Sequence, residues 1–73
     1  MMNWNYSDAV NFAIAEHYER VNDTVDKLTE LVQLGYDIDK STVATIGRQY
    51  GLYEDGFDID EIEILKQVQR RVR

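Results

Sequence analysis

The sequence predicts an all-α fold of three helices, and three observations lead to that prediction. The chain contains no proline, so no helix is interrupted by a residue that lacks a backbone N–H. Apolar residues recur at intervals of three and four along most of the chain, which is the period of an amphipathic helix. Gly35, Gly51 and Gly56 fall between the periodic segments, where helices and turns can end. We therefore expect one helical domain over residues 1–73.

The first helix is predicted over about residues 8–34 and is much the longest. Its apolar residues fall on one arc of the helical wheel, and most of its charged residues fall on the opposite arc. Ser7 or Asn5 can cap its start, and Gly35 can take the left-handed conformation that often ends a helix. We expect Trp4 and Tyr6, which precede this helix, to fold over the bundle.

The length of this helix suggests a second copy of the chain. At about 1.5 Å per residue it is roughly 40 Å long, and two short helices cannot easily cover such a stripe. We expect the uncovered part, around Val21, Val25 and Leu28, to form the interface of a homodimer.

The second helix is predicted over about residues 40–50. Asp39 is a suitable N-cap, and Ile38 before it can pack against Val43 four positions inside the helix. Gly47 lies within the helix, where glycine costs roughly 1 kcal/mol relative to alanine. We therefore expect another helix to cross closely at Gly47.

The third helix is predicted over about residues 59–72. Asp58 is the predicted N-cap and Glu61 completes a capping box, with Phe57 and Ile62 placed to pack across the start of the helix. The predicted buried stripe consists of Ile62, Leu65, Val68 and Val72.

Composition and charge exclude several classes of protein. The chain has no cysteine, which excludes disulfides and thiolate metal sites. Its N-terminus has no basic region followed by an apolar run, and no apolar run approaches the ~20 residues needed to span a bilayer. We expect a cytoplasmic protein without membrane contact. The formal net charge of −6 argues against direct binding to nucleic acid, because such surfaces are usually basic.

No pattern of residues predicts an enzyme or a cofactor. His17, the single histidine, lies in the middle of the apolar arc, so we expect a packed or interface residue and not a catalytic base. Segment 37–41 opens like a calcium loop, but Thr42 stands where glycine is needed and Arg48 where the bidentate glutamate is needed. We expect neither a metal nor another cofactor.

An acidic run in residues 54–63 is the feature that most favours a function. Its carboxylates can imitate the phosphates of a nucleic acid and engage a basic groove, and aromatic residues beside them are typical interface anchors. We expect a non-enzymatic inhibitor or adaptor of the phage type, which docks on a basic, nucleic-acid-handling partner by DNA mimicry. The predicted partner-binding residues are Tyr53, Glu54, Asp55, Phe57, Asp58, Asp60 and Glu63.

Two alternatives belong to other classes. One is a structural or regulatory homo-oligomer that pairs through the long helix. The other is a helix-turn-helix regulator over residues 42–60, with Gly51 as the turn glycine. Its recognition helix would begin with Asp58, Asp60 and Glu61, which phosphates repel, so duplex binding is not expected.

Overall fold

The computed structural model describes residues 6–72, and the side chains of residues 10–72. Within these residues the secondary structure is entirely helical. It consists of α1 (Tyr6–Gln33), α2 (Lys40–Gln49) and α3 (Glu61–Arg71). The predicted all-α arrangement, with one long N-terminal helix and two shorter ones, is confirmed. The predicted packing of Trp4 and Tyr6 over the bundle concerns side chains outside the described part.

Two glycines end the first two helices, as their positions in the sequence predict. Gly35 has φ 96°, and the N–H of Tyr36 after it donates to the carbonyl of Leu31 at 3.0 Å. This arrangement satisfies a helix-terminal carbonyl that would otherwise lack a partner. Gly51 follows α2 with φ 76° and a matching hydrogen bond across the helix end.

The start of α2 is held by reciprocal hydrogen bonds. The Asp39 carboxylate accepts from the N–H of Thr42 at 3.0 Å, and the Thr42 hydroxyl accepts from the N–H of Asp39 at 3.3 Å. The bond from the Thr42 N–H, together with one from its hydroxyl, lowers the pKa of Asp39. Val43 is buried and Ile38 packs against the core. The predicted N-cap is therefore confirmed.

The start of α3 differs from the prediction. The helix begins at Glu61 and its N-cap is Asp60, whose carboxylate accepts from the N–H of Glu63 at 3.2 Å. Asp58, the predicted cap, lies outside the helix and is exposed.

Packing explains why the later aspartate is the cap. With Asp60 as N-cap, the residue before the cap is Ile59 and the fourth residue inside is Ile64, and both reach the core. The predicted pair, Phe57 and Ile62, is instead exposed. Burial of two isoleucines selects this start, because each apolar side chain that leaves water stabilises the fold by about 1.5–3 kcal/mol.

The core contains residues from all three helices and from the connection between α2 and α3. Its buried members are Val25, Leu28, Val43, Ile46, Leu52, Ile64 and Val68. No side chain between residues 10 and 16 is buried. The start of α1 therefore extends beyond the core, and the molecule measures 51 × 21 × 17 Å.

Two of the predicted interface residues have no exposed surface. Val25 and Leu28 are completely buried within one chain, and Val21 packs against the same core. The structure thus assigns them to the chain's own core instead of to contact with a second copy. The prediction considered only helices as possible cover for α1, whereas residues 50–60 pack on it as well.

Gly47 marks a close approach, although not by a helix. A Cβ added there would lie 3.0 Å from Tyr53 Cε2 and 3.1 Å from Leu52 Cδ2. Both neighbours belong to the connection that follows α2.

The buried stripe of α3 also differs from the prediction. Val68 is buried and Leu65 is partly buried, but Ile62 is 43% exposed and Val72 is 37% exposed. The apolar residues of α3 cover two neighbouring faces, about 100° apart around the helix. Ile64 and Val68 face the core, so the other face is left outside.

Candidate protein-binding surface

Residues 50–60, which connect α2 to α3, are fastened to α1 by a histidine–aspartate contact. Nδ1 of His17 lies 2.9 Å from Oδ2 of Asp55, and an ionised carboxylate can only accept a hydrogen bond. The ring of Phe57 stacks on the imidazole at a centroid distance of 4.3 Å. His17 is thus a packed residue, as its place on the apolar arc predicts.

Arg20 makes a second attachment between α1 and the connection. Its guanidinium donates to the carbonyl of Gly51 at 3.0 Å and lies 3.8 Å from the Asp55 carboxylate. Gly51 itself is left-handed, so this bond helps to hold the chain where it leaves α2. The side chains of His17 and Arg20, both on α1, therefore flank the carboxylate of Asp55.

Asp55 is an inward-facing structural carboxylate. Only 11% of its side chain is exposed. Burial alone raises the pKa of Asp55, but hydrogen bonds from His17 and the Phe57 N–H, with the charge of Arg20, outweigh it and lower the pKa below its ordinary value. The predicted partner-binding role does not fit this position. Sequence reasoning missed the contact because its partner is 38 residues away.

Tyr53 is also largely engaged within the chain. Its hydroxyl donates to Oε1 of Glu61 at 3.0 Å, and the guanidinium of Arg48 lies 5.8 Å from the ring centroid. Burial, followed by the bond to Glu61, raises the pKa of Tyr53. The ring packs against the core, so it is a poor candidate for an exposed anchor.

The remaining predicted carboxylates divide into two groups. Asp60 caps α3. Oε1 of Glu63 lies 3.6 Å from Nη2 of Arg70. Glu54 and Asp58 are exposed and make no ion pair among the residues that the structure describes. Counting Asp55, three of the five predicted carboxylates therefore make contacts within the chain.

A longer row of carboxylates runs along the outer side of α1. Successive members are separated by three or four residues, which keeps them in line on one face of a helix. The row, called here the α1 acidic line, consists of Glu16, Glu19, Asp23, Asp26 and Glu30, all exposed. At about 1.5 Å per residue it is roughly 21 Å long. Sequence periodicity predicts its exposure but gives it no function.

Only part of the α1 acidic line is neutralised by neighbours. Asp26 pairs with Arg71, and Glu30 lies 3.4 Å from Lys27. In the described chain Glu16, Glu19 and Asp23 make no such pair. The uncompensated charge therefore lies in the half of the line nearer the N-terminus.

The described residues do not form the helix-turn-helix considered as an alternative. Residues 50–60 separate α2 from α3, whereas that motif has a turn of about 3–4 residues. A helix-turn-helix over residues 42–60 would need Ile46, Tyr50, Leu52 and Phe57 as core residues. Ile46 and Leu52 are buried, but Tyr50 and Phe57 are exposed.

The residues that the structure describes contain no group of three or more potential ligands placed to hold a metal ion. None of their helices is sufficiently long and apolar to cross a membrane.

Comparisons with protein-family models, with curated proteins and with solved structures found no match.

Proposed function

We propose that this protein is a non-enzymatic binding module whose acidic face docks on a basic surface of a partner protein. The supporting observation is the α1 acidic line, in which Glu16, Glu19 and Asp23 are exposed and make no ion pair within the described chain. Uncompensated charges of one sign attract a complementary surface and accelerate association at low salt.

The spacing of the line favours a partner that handles nucleic acid. The three unpaired carboxylates, Glu16, Glu19 and Asp23, span roughly 10 Å, which amounts to one charge per about 5 Å, and one strand of DNA carries one charge per about 3.4 Å. The two densities differ by a factor of only about 1.5. A basic groove that accepts a phosphate backbone can accept this line, and docking there excludes nucleic acid from the groove. The expected effect on the partner is inhibition.

Glu54 widens the acidic face on one side of α1. Its Oε2 and the Cζ of Arg20 both lie within 4 Å of the position a Cβ would take on Gly51. Glu54 therefore lies beside α1 although it belongs to the connection, and the predicted acidic run contributes this residue to the proposed surface.

The proposal is tested with two triple variants of equal charge. The first neutralises the α1 line with Glu16→Gln, Glu19→Gln and Asp23→Asn. The control adds three lysines at exposed positions on α2, with Ser41→Lys, Thr45→Lys and Gln49→Lys. Each triple changes the formal net charge from −6 to −3, so general electrostatics are matched.

Each protein is immobilised and exposed to cell lysate at low salt, and the captured proteins are identified. The parent and the control should retain a nucleic-acid-binding protein that rising salt or added duplex DNA displaces. The variant with a neutralised line should lose it. Equal capture by both triples would show that the line is not the binding surface. Capture that duplex DNA leaves unchanged would show that the partner does not bind through a nucleic-acid groove.

A further inference from the structure

Asp55 and Gly56 form the only Asp-Gly pair in the sequence, and both lie in the connection between α2 and α3. Glycine has no side chain that would shield its main-chain nitrogen from an approaching group. Gly56 is exposed and has φ 80°. Apart from its chain neighbours, no atom lies within 4 Å of the position that a Cβ would take there. The nitrogen that follows Asp55 is therefore unhindered.

An aspartate that precedes such a nitrogen can rearrange without an enzyme. The nitrogen of Gly56 bonds to Cγ of Asp55, and the amide proton and the hydroxyl of the protonated carboxyl group leave as water. A second water then opens the five-membered succinimide at one of its two carbonyls. Opening at Cγ restores aspartate. Opening at the main-chain carbonyl leaves the chain running through Cγ, which is isoaspartate.

Three groups contact the Asp55 carboxylate and oppose this attack by fixing its orientation. Nδ1 of His17 lies 2.9 Å from Oδ2, and Nη1 of Arg20 lies 3.8 Å from the same oxygen. The N–H of Phe57 donates to Oδ1 at 3.4 Å. Both carboxylate oxygens are engaged, so Cγ cannot turn toward the nitrogen of Gly56 without breaking these contacts.

The same groups keep the carboxyl group of Asp55 ionised. Burial alone raises the pKa of Asp55, but hydrogen bonds from His17 and the Phe57 N–H, with the charge of Arg20, outweigh it and lower the pKa. The attack needs the protonated form, because an ionised carboxylate would have to expel an oxide ion. The contacts therefore oppose the reaction by charge as well as by orientation.

We propose that Asp55–Gly56 is the site of isoaspartate formation in this chain, and that the contacts of Asp55 with His17 and Arg20 slow the reaction while the chain is folded. Isoaspartate adds one methylene to the main chain and attaches the carboxylate directly to Cα, which shortens the arm that reaches His17. The rearranged chain keeps its net charge but loses this attachment of the connection to α1. The α1 acidic line takes no part, so the proposal is independent of the proposed function.

Accumulation of isoaspartate over several weeks at mildly acidic pH tests the proposal. Trypsin releases residues 49–66 as one peptide, in which electron-transfer fragmentation distinguishes isoaspartate from aspartate. Asp58 and Asp60 in this peptide are internal controls, because isoleucine and glutamate follow them. At Asp55 the folded parent should react about tenfold more slowly than the parent in urea, or more slowly still, since hydrogen bonds to a charged group must first break.

A substitution at His17 tests the contact itself. His17→Leu keeps an apolar side chain against Phe57 but removes the donor to Asp55, so the rate should rise about tenfold. Arg20→Met, which removes the cation 3.8 Å from the carboxylate, should raise it by a smaller factor. Tyr18→Leu makes the matched change at an adjacent side chain that is 63% exposed, and should leave the rate unchanged. Helical circular dichroism establishes that each variant is folded.

Three results would each overturn the proposal. The first is isoaspartate at another position of the folded parent, and the second is an equal rate at Asp55 in the folded and the urea-unfolded parent. The third is a pair of folded variants, His17→Leu and Arg20→Met, that react no faster than the parent. The comparison of folded with unfolded parent needs no variant, so it tests the proposal even where a substitution prevents folding.

Discussion

Charged residues are usually exposed and apolar residues are usually buried, but two regions of this molecule show the opposite. They are the connection between α2 and α3 and the outer face of α3. The connection is acidic, yet Asp55 is enclosed and bonded to His17. The outer face of α3 is apolar, yet Ile62 and Val72 are exposed. A carboxylate can be removed from water where a fixed hydrogen-bond donor contacts it. A helix with apolar residues on two faces can bury only one of them against a single core, so the other face stays exposed. Contacts between distant segments decide both cases.

Truncating an apolar side chain should reduce stability much more in the connection than on the outer face of α3. Leu52→Ala, in the connection, should lower the free energy of unfolding by about 2–5 kcal/mol, because it leaves a cavity in the core. Ile62→Ala, on α3, should lower it by less than about 1 kcal/mol, since its side chain is already partly in water. Urea unfolding of the two variants in dilute solution compares the two losses. Similar losses would mean that the outer face of α3 is part of the core.

A smaller loss is expected when the attachment of the connection is weakened. Asp55→Asn keeps the shape of the side chain but removes the charge that Arg20 and His17 face. The free energy of unfolding should fall by about 1–2 kcal/mol at pH 7. Glu54→Gln, at the neighbouring exposed carboxylate, is the control and should change it by less than about 0.5 kcal/mol.

The pH dependence of this loss has a definite sign. The folded pKa of Asp55 is lowered, so its contribution is fully present above the unfolded value of about 3.9 and is lost as the pH falls through the folded value. The difference between parent and Asp55→Asn should therefore shrink as the pH is lowered from 5 to 3. A difference that stays constant over this range would contradict a stabilising ionised carboxylate.

The smallest effect concerns the cap of α3. Asp60→Ala should lower the free energy of unfolding by about 1 kcal/mol, because it removes the acceptor of the Glu63 N–H. Asp58→Ala should change it by less than about 0.5 kcal/mol. Thermal unfolding followed by circular dichroism compares the two variants. A larger loss of stability for Asp58→Ala than for Asp60→Ala would show that Asp58 is the cap, as the sequence predicts.

Local signals in the sequence predict most of the fold. Gly35, Gly51 and Asp39 end or begin helices at the predicted places, because each acts on backbone groups within a few residues. Asp58 and Asp60 are equally good caps by that criterion. Only the burial of Ile59 and Ile64 selects between them, and that depends on the rest of the core.

The candidate surface is less predictable for the same reason. The sequence shows that residues 54–63 are acidic, but it cannot show that His17 removes Asp55 from the surface. The α1 acidic line is visible as a period of three and four residues. Its importance emerges only once pairing with Arg71 and Lys27 distinguishes the neutralised carboxylates from Glu16, Glu19 and Asp23.

We propose that the enclosed carboxylate of Asp55 maintains the fold, whereas the carboxylates of Glu16, Glu19 and Asp23 on α1 bind the partner. The most direct test is the salt concentration at which the captured partner elutes from immobilised Asp55→Asn, from the variant with Glu16, Glu19 and Asp23 neutralised, and from the parent. Asp55→Asn should release the partner at the same concentration as the parent, and the neutralised α1 variant should release it at a much lower one. Earlier release from Asp55→Asn, with unchanged release from the α1 variant, would contradict the claim.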